Sequence, residues 1–358
     1  MRATLLDTHC LTAGPAHHAF TTLCRWRDRI YCAWRAGLHH GITPPGHVAI
    51  SRLSQEWPPR VCTNAMLNHP IGDVRDPRLV PTPDALWCFA GVYLPTVGVH
   101  QAWHGLSAVP TDNIVQTHVA WTTDGLTWTP LVPILRPNFW AWGIIVLNGL
   151  WFVATYQQGT AFDTATTLTL FSGLSPLRLA YAGTIYDGFN FAKDGEQFRY
   201  PHSLPCEPVL WPVSPHILAC AVRTETGMDL GVARTSALTD WRWHTRRQTI
   251  APSAVYVTAY GTLLAGRAVA QYAPSRRDRD ATRSSLPQTT WRTSLYHLVP
   301  GTHWADLLLT LPSHGDTGYA GLCAGLEPNT VLVSYYTSVA ESFLPGTDVW
   351  LAHIRIMP

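Results

Sequence analysis

Four times along the chain an apolar, strand-like run leads into a short polar turn and then an aromatic residue. The copies are HVAISRLSQEW ending at Trp57, HVAWTTDGLTW at Trp128, FNFAKDGEQF at Phe198 and GVARTSALTDW at Trp241. In the middle two the turn contains Asp-Gly, which supplies the backbone freedom that a tight hairpin needs. A repeat of this kind constrains the fold more than any single residue does, because a unit that cannot bury its own apolar face must stack on its neighbours.

A second pattern is interleaved with the first: a pair of apolar strands around a short turn. It occurs as HAFTTLCRWRDRIYCAWRAG, VRDPRLVPTPDALWCFAGVY, WAWGIIVLNGLWFVATYQ, EPVLWPVSPHILACAVRTE, SAVYVTAYGTLLAGRAV and TGYAGLCAGLEPNTVLVSYYTS. Six such pairs, most followed by a hairpin with the aromatic turn, predict an all-β fold: a six-bladed β-propeller of four-stranded antiparallel blades. No helix-period stretch competes. Composition agrees, since 28 Pro and 26 Gly among 358 residues suit many short strands joined by tight turns. Residues 94–117, 157–166 and 271–289 read as long loops within one domain spanning 1–358, and ATLLD near the N-terminus is a spare strand that can complete the last blade beside VWLAHIRI.

Charge narrows the partners. The formal net charge is +2 and no Lys/Arg block occurs, so the electrostatic footprint of a nucleic-acid binder is missing. Lys193 is the only lysine, which reflects either genome composition or a demand for bidentate, permanently charged groups. The N-terminus MRATLLDTHCLTAGP has no signal-peptide core and no apolar run has spanning length, so the chain reads as soluble, without a membrane span, and cytoplasmic by default. The eight cysteines lack CxxC spacing and mostly sit in apolar runs, which predicts buried free thiols. Histidines at 17–18 and in HHGITPPGH at 39–47 invite a metal reading, but no Cys or carboxylate stands at ligand spacing beside them; no metal and no cofactor is expected.

Propeller geometry selects the face that carries chemistry. Strands alternate in direction, so the start of the first strand and the end of the second open on one face, and the aromatic turns lie on the other, where they serve as turn locks. Ends of second strands supply Arg35, Tyr93, Tyr156, Arg223, Arg267 and Tyr336. Starts of first strands supply His18, Arg75 with Asp76, Trp142, Glu207, Ser253, and Asp316 with Tyr319. Arginines, carboxylates and tyrosines would thus converge on the channel mouth in a chain otherwise poor in charge.

The strand-turn-Trp element resembles the Asp-box of sialidases and related BNR-repeat proteins, in a variant one residue shorter than S-x-D-x-G-x-T-W. The order VRDPRL, DGLTW, CEPVL, TDWRW, AGR, GDTGYAGL and VSYYTS is similar to bacterial sialidase-like six-bladed propellers over nearly the whole chain. That resemblance implies an exo-glycosidase acting on a glycan with a terminal acidic sugar. On it, Tyr319 is the nucleophile, Glu207 its base, Asp76 the acid/base, and Arg35, Arg223 and Arg267 the carboxylate clamp, with His18, Asp316 and Tyr336 lining the substrate. Such a tyrosine, with an ordinary pKa near 10, needs a neighbouring carboxylate to take its proton. The F-R-I-P segment of typical sialidases is absent, so the first clamp arginine is either Arg75 or Arg35. VRDP also looks like the R-D-P motif of five-bladed glycosidases acting on neutral sugars. The rival from another class is a non-catalytic carbohydrate-binding or scaffold propeller, with protein partners in a larger assembly.

Overall fold

The computed structural model describes residues 1–42, 44–94, 114–157, 167–187, 192–193, 196–197, 205–224, 227–246, 248–269, 291–299, 304–338 and 346–358. Most of the expected long loops lie outside these residues. The regular elements are all strands, and no helix of the described residues is long and apolar enough to cross a membrane.

In chain order the strands are β1 (Arg2–Cys10), β2–β5 (His17–Trp26, Arg29–Gly37, His47–Leu53, Val61–Leu67) and β6–β9 (Asp73–Pro81, Leu86–Leu94, Ile114–Thr122, Val132–Pro133). β10–β13 follow (Phe139–Leu147, Leu150–Gln157, Thr167–Ser175, Arg178–Asp187), then the small pair β14 (Ala192–Lys193) and β15 (Glu196–Gln197). The last three sets are β16–β19 (Cys206–Ser214, Ile217–Arg223, Met228–Arg234, Arg242–Arg246), β20–β23 (Ile250–Thr258, Gly261–Val269, Trp291–Leu298, Ala305–Thr310) and β24–β26 (Gly318–Ala324, Thr330–Ser338, Thr347–Met357).

β6–β9, β10–β13, β16–β19 and β20–β23 each form a separate four-stranded antiparallel blade of a propeller ring. Instead of two further separate blades there is one eight-stranded sheet, in which β24-β25-β26-β1 and β2-β3-β4-β5 meet at a single parallel bridge between His17 and Thr347. The spare N-terminal strand is where the sequence puts it: β1 runs antiparallel to β26, from Arg2 opposite Met357 to Cys10 opposite Trp350. All six apolar hairpins form as read. The aromatic-turn motif follows the third strand of its sheet in three of four cases. FNFAKDGEQF instead carries the detached β14-β15 pair, and the turn between β12 and β13 falls at Ser175–Arg178.

Blades stack face to face, so inner strands are covered on both sides and read as unbroken apolar runs, whereas outer strands alternate. β3 is buried from Ile30 through Ala36, whereas β5 exposes Val61 and Met66. Every neighbouring pair shares an apolar cluster: Trp26 and Ile50 with Leu79 and Leu86, Phe89 and Val119 with Trp151, Phe152 and Leu170 with Leu218. The series continues with Ala219 and Leu230 against Leu264, Leu263 and Leu295 against Val333, and Leu332 and Leu351 against Leu23 and Ile30. All eight cysteines are free thiols; Cys24, Cys32, Cys88, Cys220 and Cys323 are buried among these apolar side chains, and Cys62 is exposed.

The Asp124-Gly125 turn latches one sheet to the next. Asp124 accepts hydrogen bonds from Leu126 N and Thr127 N, both at 2.8 Å, and from the Thr122 hydroxyl. Gly125 has φ +76°, and a Cβ there would run into the Tyr31 hydroxyl of the neighbouring sheet. Trp26 Nε1 donates across the same boundary to Thr82 O at 2.7 Å. Gly125→Ala should therefore destabilise the fold by about 1–3 kcal/mol in denaturant unfolding, from a strained φ and a clash together. A change under about 0.5 kcal/mol, the level of an ordinary surface substitution, would deny the turn this role.

Candidate active site

The first strand of every apolar hairpin slips register against the second at the same place. The slips fall between Ala19 and Thr22, Arg75 and Arg78, Ala141 and Gly143, Cys206 and Val209, Pro252 and Ala254, and Gly318 and Gly321. Four of the residues displaced there have left-handed backbone: Phe20 (φ 60°), Asp76 (φ 53°), Glu207 (φ 53°) and Tyr319 (φ 42°). Such φ values are uncommon outside glycine and cost on the order of 1–3 kcal/mol each, and bulges of this kind re-aim a side chain. Pro77 and Pro208 sit inside two of the slips, where a missing N–H breaks no ladder bond.

Three predicted site residues meet directly. The Tyr319 hydroxyl donates to Glu207 Oε1 at 2.8 Å, and Arg223 Nη1 donates to the same oxygen at 2.5 Å. Burial alone would raise Glu207, but the Arg223 charge, with hydrogen bonds from Arg223 and Tyr319, outweighs it and holds the carboxyl below its ordinary value. Burial and the Glu207 charge push the Tyr319 phenol well above its ordinary value. The pair therefore rests as carboxylate and neutral phenol, with the proton already pointed at its acceptor. Arg267 stacks over Trp291 at 3.9 Å and lies 5.7 Å from the Tyr319 ring centre. A small recess is lined by Glu207, Ala251, Pro252, Ser253, Arg267 and Tyr319.

Asp76 behaves oppositely. It is 6% exposed, and burial raises its carboxyl to about 7 despite two nearby arginines. Neither arginine bonds to it: Arg75 Nε donates to Asp73 Oδ2 at 2.6 Å, and Arg78 Nη1 donates to Ser253 O at 3.1 Å, its guanidinium 4.0 Å from the Trp142 ring centre. Two carboxyl groups with pKa values driven apart are the arrangement that acid–base chemistry at one pH requires.

Other expected residues take different places. Arg35 is 0% exposed, donates to both oxygens of Asp73, and also donates to the carbonyls of His39 and Gly41. Phe20 projects from the corresponding bulge, edge-on to Tyr319 with ring centres 5.2 Å apart. His18 Nδ1 accepts from Trp34 Nε1 at 3.2 Å, while its neighbour His17 is the one at Asp316, Nε2 to Oδ2 3.1 Å. The Tyr336 hydroxyl donates to Asp316 Oδ1 at 2.9 Å, and its ring stacks on Tyr319 at 8°. Phe20, Asp73 and Arg78 escape the sequence reading as site residues, and His17 and His40 enter it only as members of two histidine groups. For Asp73 the available signal was a carboxylate two residues before Arg75, on the same strand face.

Because Asp76 is ionised in the unfolded chain above about 4 but in the folded chain only above about 7, its contribution to stability falls as pH rises between those values and is flat above. Asp76→Asn should therefore be more stable than the parent at pH 8, by up to a few kcal/mol at about 1.4 kcal/mol per pKa unit. The gap should narrow toward pH 4 in denaturant titrations; a constant gap would place the pH dependence elsewhere.

No family model matches the chain, and no curated protein sequence matches it. Solved structures do. Trypanosoma rangeli sialidase in complex with sialic acid superposes with a TM-score of 0.61 at 9% identity, covering 95% of this chain and 54% of that one. Phage phi92 endosialidase superposes with a TM-score of 0.58 at 9% identity, covering 98% and 69%. The chain thus spans about half the length of the trypanosomal enzyme. At such identity the likeness speaks to fold alone, and on fold it is plain: this chain shares a β-propeller fold with these sialidases.

Proposed function

We propose that the chain is a six-bladed, sialidase-like exo-glycoside hydrolase acting on a terminal acidic sugar. The count of six reads the eight-stranded sheet as two blades, β2–β5 and β24–β26 with β1, joined by one bridge. The observation that carries the reading is the Tyr319 hydroxyl donating to a Glu207 carboxylate already held by Arg223. In the first step the Tyr319 oxygen attacks the anomeric carbon as its proton passes to Glu207, and protonated Asp76 gives its proton to the departing oxygen. Water then attacks the glycosyl-tyrosine bond and gives a proton to Asp76, while Glu207 returns one to Tyr319. Arg223 and Arg267, flanking Tyr319, are the groups for a substrate carboxylate, with Arg75 on β6 beside the Phe20 ring. The substrate class draws support from the trypanosomal sialidase of similar fold, whose structure holds sialic acid.

A second reading, a binding or scaffold propeller, draws on exposed apolar side chains: Leu174 is 83% exposed, Tyr181 65% and Val213 58%.

Fluorophore release from aryl sialosides, uronides and neutral glycosides tests both. Turnover confined to an acidic glycoside is expected, and silence across the panel would favour the scaffold. Tyr319→Phe should abolish turnover without unfolding the protein, and Asp76→Asn should lower kcat roughly 100- to 10,000-fold. Wild-type turnover in Tyr319→Phe would remove that residue from the mechanism. Arg267→Lys, which leaves the Arg223–Glu207 bond in place, should raise KM mainly for acidic sugars; an equal loss on neutral ones would count against a carboxylate clamp.

A further inference from the structure

His17, His40 and Asp316 come from three places: the first residue of β2, the connection between β3 and β4, and the segment leading into β24. His17 Nε2 lies 3.1 Å and His40 Nδ1 2.8 Å from the same oxygen, Oδ2 of Asp316. The three ligand-type atoms all lie within 4.8 Å of one another. A tetrahedral zinc ion with bonds of about 2.0–2.2 Å separates its ligand atoms by roughly 3.3 Å, so small side-chain rotations would admit one.

The surroundings hold these groups in place. The second Asp316 oxygen accepts the Tyr336 hydroxyl, and Asp316 N donates to Ser338 Oγ at 2.9 Å, fixing the carboxylate from behind. The backbone around His40 is gripped by two buried arginines: Arg35 donates to the carbonyls of His39 and Gly41, and Arg75 Nη2 donates to the His40 carbonyl at 3.1 Å. His17 is buried, while the His40 side chain is 42% exposed, so water or a ligand oxygen can complete the coordination. Two imidazole nitrogens and one carboxylate oxygen suit a borderline transition metal, not calcium or magnesium, which take oxygen ligands. Phe20 stands between the cluster and the nucleophile, its ring centre 5.2 Å from both His40 and Tyr319.

We propose that His17, His40 and Asp316 form a binding site for a divalent transition-metal ion of the zinc type, at the rim of the candidate active site. The site does not depend on the glycosidase reading, and its test needs no turnover. Chelator-stripped full-length protein is titrated with Zn²⁺ alone near neutral pH, by calorimetry and by thermal unfolding. One equivalent should bind and raise Tm. His40→Ala and Asp316→Asn should each weaken that binding by at least roughly 10- to 100-fold, the range that even outer partners of metal ligands command. His216→Ala, at an exposed histidine elsewhere, should leave it unchanged. Absence of binding, or the same affinity in the wild type and His40→Ala, would overturn the site. His40 is part exposed, so its variant tests binding without emptying a core position.

Discussion

The displaced residue in the first strand of each hairpin is the constraint on which the rest of the structure depends. A regular strand alternates its side chains between two faces, and in a stacked blade both faces are occupied by neighbouring blades. On the first strand of a hairpin, breaking that alternation re-aims a side chain. The slips at Phe20, Asp76, Glu207 and Tyr319 break it with left-handed backbone, and every polar contact between Tyr319 and Glu207 follows from two of them. Conformations this costly persist where the surrounding packing over-determines them, as the apolar clusters between sheets do here.

Two carboxyl groups raised on equivalent bulges end with opposite habits because of where their arginines are sent. Glu207 keeps Arg223 as a direct partner and stays charged. Asp76 loses Arg75 to Asp73, an ion pair with almost no exposure, and loses Arg78 to a backbone carbonyl, so desolvation prevails. Asp73 is therefore as much a part of the electrostatics as the residues facing the channel. It also binds Arg35, the arginine at the end of a second strand that donates to the carbonyls of His39 and Gly41.

Strand pairs were legible because apolar runs bounded by turn residues carry their own local signal, and the closure by β1 was legible for the same reason. Tyr319, Glu207 and Arg223 were legible from strand direction and motif order together. A bulge, however, re-aims the side chain it displaces: His18 was expected at the axis, where the bulge after Ala19 projects Phe20, and the histidine at Asp316 is the neighbouring His17. Pro77 and Pro208 inside strand-like runs were the visible trace of two slips. The carboxylate that joins His17 and His40 could not be read from local spacing, since Asp316 lies 299 residues from the first and 276 from the second. The course of FNFAKDGEQF was misread because an Asp-Gly hairpin is a local fact and membership in a sheet is not.

Closure of the ring by β1 and β26 has a thermodynamic side. In an open stack of repeats the end units have one neighbour, fray first, and let unfolding proceed unit by unit. Here each sheet shares an apolar cluster with the sheet on either side, and the last cluster joins Leu332 and Leu351 to Leu23 and Ile30. Among the described residues no end unit is left with an uncovered neighbour from which melting can begin. Removing any one sheet uncovers two apolar faces at once, so the ring is suited to holding or losing its structure as a whole, with strand pairing and an apolar cluster fastening its ends.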